Sequence, residues 1–180
     1  MRRALIVSLL LAGVMAVGCT DAPDTAGPTN DEPTEGEPEA NATERVLTGL
    51  GEGAGEVDLA GFRGTPLVVN FFASTCVPCV EEMPAIERVF QAGAGRFAVV
   101  GVAVNDRVDD ALALVERTGV TWDLATDPDG TFIRAMGGLY LPTTALIDAE
   151  GEVVEVRTGT LDADELVDLL DEHLGLRVEL

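Results

Sequence analysis

The stretch PLVVNFFASTCVPCVEEMP, Pro66 to Pro84, holds two different periodicities on either side of a short polar junction. Leu67 to Phe72 is of strand length and apolar at every position but Asn70, β-branched and aromatic, the pattern of a strand buried on both faces. After Cys76 and Cys79, the residues Val80, Met83, Ile86, Val89 and Phe90 recur at helical spacing, so a helix starts at or beside the cysteines and runs to about Gln91. A buried strand therefore delivers a Cys-x-x-Cys pair to the start of a helix.

Working outward, RFAVVGVAV (Arg96 to Val104) reads as a second buried strand. Asp106 to Thr118 reads as a helix with Val108, Ala111, Leu112 and Val115 on one face, stopped by Gly119. TWDLATD is a weak strand, DPDG a turn, and Thr131 to Met136 a short helix ended by Gly137 and Gly138. PTTALIDAEGEVVEVRTG is a strand pair joined tightly at Asp148 to Gly151. Asp162 to Leu174 closes the pattern as an amphipathic helix, with Asp162 and Glu165 placed as a capping box. Upstream, LTGLGEGAGEVDLAGFRG suggests short strands or turns and a helical turn near Leu59 to Phe62. The sum is an α/β domain with a central mixed β-sheet flanked by helices. A Cys-x-x-Cys beside a strand-helix-strand pattern reads as a thioredoxin-like redox motif.

The position of the cysteines supplies the chemistry. Residues three apart on a helix share a face, so the two sulfurs can meet. The helix N-terminus offers unpaired N–H groups and partial positive charge, which favour thiolate over thiol. A cysteine in such a place has its pKa lowered from about 8.5 into the range of roughly 3.5 to 7.5. Cys76 is the expected exposed attacker and Cys79, one turn in, the resolving thiol. Pro78 suits the first helical turn, where its missing N–H costs nothing.

Other uses of the pair fit less well. Structural zinc takes about four ligands, whereas the chain from Val46 onward offers two cysteines and the single His173 on the last helix. Haem attachment needs a histidine where Val80 stands. No metal or other cofactor is expected beyond the Cys76–Cys79 disulfide. A purely structural staple remains open, although so short a loop removes little chain entropy.

The N-terminus points to export. Arg2 and Arg3 precede an apolar run from Ala4 to Val17, 14 residues, short for a membrane span. Ala16-Val17-Gly18-Cys19 resembles a bacterial lipobox, with alanine where leucine is usual. Residues 1–18 are therefore expected to be a lipoprotein signal peptide and Cys19 the lipidated residue, anchoring the protein to the outer face of the bacterial cell membrane. Thr20 to Arg45 has four prolines and eight acids against one base, and its apolar residues are alanines. Residues 19–45 are expected to be a disordered acidic linker, 46–175 the domain and 176–180 a tail. The formal charge of −21 and the 4% aromatic content argue against nucleic acid as a partner.

The runs VVNFFASTCVPCVEEMP, DPDG and LPTTALIDAEGEVV, in that order, resemble the thioredoxin-like TlpA/ResA family of membrane-anchored, extracytoplasmic thiol-disulfide oxidoreductases. The resemblance covers about Val46 to Gly175 and implies a thioredoxin-like fold. It also implies that Pro142 is a cis-proline beside the disulfide, with Leu141 before it shaping the substrate groove. Asn70 stands where thioredoxins carry a buried aspartate, and the family places a glutamate at the position of Glu82, which makes Glu82 the candidate for tuning the thiols. The alternative for Glu82 is a solvated charge on the helix face. Thr75 departs from the family's tryptophan before the first cysteine and leaves the disulfide more open on that side.

The resemblance implies a monomeric enzyme that exchanges disulfides with exported proteins. Its direction is that of a reductase fed by an integral membrane electron donor, acting for instance on apocytochromes c before haem attachment. A thiol oxidase is the alternative direction. A peroxiredoxin-like peroxidase is the other enzyme class, but Ala73 and Val69 stand where its Thr/Ser and Pro would precede Cys76. The non-enzymatic alternative is a lipoprotein binding module whose disulfide is structural.

Overall fold

The structure is a computed structural model and describes residues 37–180. The expected signal segment, Cys19 and most of the acidic linker lie outside the described residues.

Among the described residues, seven strands form one mixed sheet: β1 (Val46–Gly49), β2 (Glu56–Asp58), β3 (Leu67–Phe72), β4 (Ala98–Val104), β5 (Asp123–Asp127), β6 (Thr143–Ile147) and β7 (Val153–Thr158). Among the described residues there are four α-helices, three between strands and the last after β7: α1 (Val77–Gly93), α2 (Val108–Thr118), α3 (Thr131–Ala135) and α4 (Ala163–Leu174). The strand order is β2-β1-β5-β4-β3-β6-β7. β3 lies inside the sheet, parallel to β4 on one side and antiparallel to β6 on the other. Every residue of β3 is buried, which is why its sequence shows no polar alternation.

The alternation is instead between two cores. Val68 and Phe72 join Cys79, Met83, Ile86 and Val89 of α1 and Leu166 and Leu170 of α4. Val69 and Phe71 face the other way, toward Phe132 and Met136. A residue on β3 is thus committed to one layer by its parity, and Asn70 shares the parity of Val68 and Phe72 under α1.

Helix boundaries follow their local chemistry. Asp162 caps α4 by accepting the N–H of Glu165, while the Glu165 carboxylate accepts the N–H of Asp162. Gly119 and Gly175 end α2 and α4 in the left-handed region. α1 continues through Pro84, whose ring is exposed and which has no N–H to donate to the Val80 carbonyl.

The packed chain begins before the expected boundary at Val46. The N–H of Glu39 donates to the Ala135 carbonyl at 2.7 Å, and Thr43 Oγ1 donates to the Gly151 carbonyl at 2.6 Å. Ala42 and Thr43 are buried in a 3-10 turn, so residues 39–45 belong to the domain rather than to a disordered linker. Their small side chains carry no apolar pattern; the segment is held by backbone bonds that composition does not reveal. Residues 176–178 are likewise docked, whereas Glu179 and Leu180 are exposed: Val178 is buried, Leu176 packs on the α1/α4 core, and Arg96 donates to the Arg177 carbonyl at 2.6 Å.

Candidate active site

The site sits where the C-terminal ends of β3 and β4 meet the N-terminus of α1. Cys76 and Cys79 are joined by a disulfide of 2.06 Å. Cys76 is the N-cap of α1, and its Sγ accepts the N–H of Cys79 at 3.3 Å. The first cysteine is half-buried and the second has no exposed surface. Val77 and Pro78, between them, are exposed at the start of the helix, and Thr75 is exposed just before it.

Glu82 is not the solvated charge that its neighbour Glu81 is. It is 1% exposed and lies one turn beyond Cys79 on the buried face of α1. Its Oε1 accepts from Asn70 Nδ2 at 2.7 Å, and its Oε2 accepts from the Leu161 N–H at 3.0 Å. Burial raises its pKa from 4.5 to about 7, against the two hydrogen bonds, which lower it. A carboxyl group that can hold or release a proton near neutrality thus stands in the same layer as the sealed cysteine. Asn70 also donates to Thr144 Oγ1 at 3.1 Å, its register partner on β6.

The Leu141–Pro142 peptide is cis. Pro142 is buried, and its carbonyl accepts the Gly159 N–H at 3.0 Å, while Thr143 Oγ1 donates to the Tyr140 carbonyl at 2.6 Å. Beside this turn a groove of about 450 Å³ is lined by Thr75, Asn105, Ile133, Arg134, Tyr140 and Leu141 among others. The structure thus gathers Thr75, Cys76, Pro78, Cys79 and Glu82 on the β3-α1 unit and brings Leu141 to their side across the groove. Tyr140 is 72% exposed on its rim.

Two residues of the surroundings were not among the expected site residues, although one of them, Asp127, opens the DPDG run. Asp106 accepts both the backbone N–H of Ser74 and its hydroxyl, the latter at 2.8 Å, and so holds the turn before Cys76. Asp127, 3% exposed, accepts the N–H groups of Phe132 and Ile133 and fixes α3 beneath the groove. The available signal was topological: β3, β4 and β5 are parallel neighbours, so polar residues just past their ends converge. Among the described residues, no group of three or more His, Cys, Asp or Glu is arranged to hold a metal ion.

This arrangement can exchange a disulfide: a reachable sulfur at a helix N-terminus, a shielded second sulfur, and a buried group to take a proton. Comparison with known proteins agrees. A family model described as Redoxin matches residues 22–171. The thiol-disulfide oxidoreductase ResA of Geobacillus thermodenitrificans is 30% identical over 128 residues, covering 71% of this chain and 72% of the relative. The structure of MTB dsbF in mixed oxidised and reduced forms superposes with a TM-score of 0.67 at 25% identity, over 74% of this chain and 98% of that one. A putative thiol:disulfide interchange protein DsbE from Chlorobium tepidum gives 0.63 at 28% identity, over 78% and 94%.

Proposed function

The chain belongs to the Redoxin family and is a thiol-disulfide oxidoreductase of ResA kind with a Cys76–Cys79 disulfide, and on that premise we propose that it is a reductase of disulfides in exported proteins. The observation that carries the site assignment is the inequality of the two sulfurs, one reachable at the N-cap of α1 and one sealed beside Glu82.

In this reading Cys76 thiolate attacks one sulfur of a substrate disulfide. That S–S bond breaks, one substrate sulfur leaves as thiolate, and a mixed disulfide with Cys76 remains. Glu82 takes the proton of Cys79, whose thiolate then attacks Cys76 Sγ and releases the second substrate sulfur. Two electrons have passed to the substrate, and the Cys76–Cys79 disulfide is restored. An integral membrane dithiol protein returns the electrons. Leu141, Pro142 and Thr75 line the approach of the substrate chain, and Pro78 keeps the first turn of α1 in shape.

The location is part of the same proposal. Residues 1–18 direct export, Cys19 carries lipid, and the acidic segment after it separates the domain from the outer face of the cell membrane. The lipobox-like Ala16-Val17-Gly18-Cys19 supports this. Apocytochrome c cysteines are one substrate class consistent with it. No helix among the described residues is long and apolar enough to cross a membrane.

Rapid acid quenching and alkylation of growing cells tests the direction. A pair found mainly reduced is the expected result, and one found mainly oxidised reverses the assignment to a thiol oxidase. Replacing Cys19 by Ser should move the protein from the membrane to the soluble fraction; retention in the membrane would overturn the lipid anchor.

A further inference from the structure

Asn70 lies in the middle of β3 on the sheet face that α1 and Cys79 cover, and its side chain is fully buried. Both amide hydrogens are used, one by Glu82 Oε1 at 2.7 Å and one by Thr144 Oγ1 at 3.1 Å. Its Oδ1 has no partner at all. A buried amide oxygen without a donor is destabilising and calls for an explanation.

The explanation lies in the other redox state. The structure holds the disulfide, in which neither sulfur carries a proton. Reduction by a partner dithiol breaks the Cys76–Cys79 bond, joins the partner's sulfurs, and transfers two electrons and two protons. Cys76, half-exposed, can release its proton to water. Cys79 has no exposed surface, so its proton stays in the buried layer, on its own sulfur or on Glu82. Either way reduction adds one proton to those that the layer holds in the oxidised state. Among the described residues, two buried side-chain atoms lack partners, Asn70 Oδ1 and Trp122 Nε1, and the indole N–H is itself a donor. One acceptor is spare in the buried layer to which one proton is added.

We propose that Asn70 Oδ1 is the acceptor held for the proton that reduction brings to the Cys79–Glu82 layer, so that Asn70 is a positioning residue that favours the dithiol. This rests on the reading that Cys79 and Glu82 handle a common proton. An amide suits the position because it accepts without adding a second negative charge beside Glu82, while still donating to it.

The test is the equilibrium of the purified protein with glutathione redox buffers. Asn70→Leu should lower the equilibrium constant for reduction by about tenfold, which is 29.6 mV for a two-electron couple. Because leucine also strips a donor from Glu82, the same substitution is repeated in Glu82→Gln, where the fall should persist. Unchanged constants in both backgrounds overturn the proposal. The wild-type protein gives a second readout that needs no variant to fold: on reduction the Asn70 carboxamide ¹³Cγ resonance should move downfield, as for a carbonyl gaining a donor, while those of Asn41 and Asn105 stay. A stationary Asn70 signal overturns the proposal even though exchange proceeds. A wild-type pair that does not equilibrate with glutathione would instead remove the redox reading beneath it.

Discussion

Cys76 Sγ accepts the amide N–H of Cys79 at 3.3 Å, so the first sulfur of the pair caps the helix that carries the second. An N–H and a helix N-terminus so placed favour the thiolate form of Cys76 once the disulfide opens. Cys79 receives no such solvent-facing help.

The first prediction is a difference in reactivity. In the reduced protein at pH 7, iodoacetamide should modify Cys76 at least about tenfold faster than Cys79, since thiolate character and access both favour it. Peptide mapping by mass spectrometry after short exposure reads the ratio; equal rates would contradict the assignment of attacker and resolver.

The second concerns Glu82 and pH. Its folded-state pKa is about 7 against 4.5 for the free group, so between these values the native state holds more proton than the unfolded state. Stability from this group is therefore greatest at low pH and falls as pH rises toward and through 7, by about 3 kcal/mol in all. Denaturant unfolding of the oxidised protein from pH 5 to pH 8 should show most of that decline in the wild type. In Glu82→Gln the decline should be largely gone.

A third prediction follows from the Ser74 turn. Asp106→Ala removes an ionised acceptor from a backbone N–H and a hydroxyl, and should lower stability by about 2 kcal/mol. Equilibrium unfolding measures it. Glu116→Ala, on the surface of α2, should change stability by less than about 0.5 kcal/mol.

A fourth concerns the approach to the cis peptide. A Cβ at Gly138 would lie 2.8 Å from Ile133 Cγ1 and 2.9 Å from Thr143 Cγ2. Gly138→Ala should therefore cost about 1 to 3 kcal/mol through overpacking and slow exchange with substrate disulfides. A normal melting transition with normal exchange would show that this turn yields freely.

Much of this was legible in the sequence. β3 and α1 follow from the change of period at Cys76, and the α4 capping box from Asp162 and Glu165, because each is written in local residue order. Glu82 was legible as a candidate by resemblance, but its helical neighbours left a solvated position open; only the closure of β3, α1 and the Leu161 turn around it buries it. Asp106, just past β4, and Asp127, the last residue of β5, are ordinary acids in the sequence until the parallel sheet brings their strand ends together. Residues 39–45 carry too little apolar pattern to mark them as packed, since they are fixed by partners distant in sequence, and Val178 is a lone apolar residue that only the assembled core buries. Local periodicity reports elements, whereas partners across the sheet depend on topology.

The central claim is that Cys76 attacks a partner protein and Cys79 releases it. Trapping in growing cells tests it most directly: with Cys79→Ala, the protein should accumulate in adducts with exported proteins that dithiothreitol dissolves, and Cys76→Ala in addition should abolish them. An absence of adducts with Cys79→Ala, together with a wild-type pair permanently oxidised, would contradict the account and leave the disulfide a structural staple.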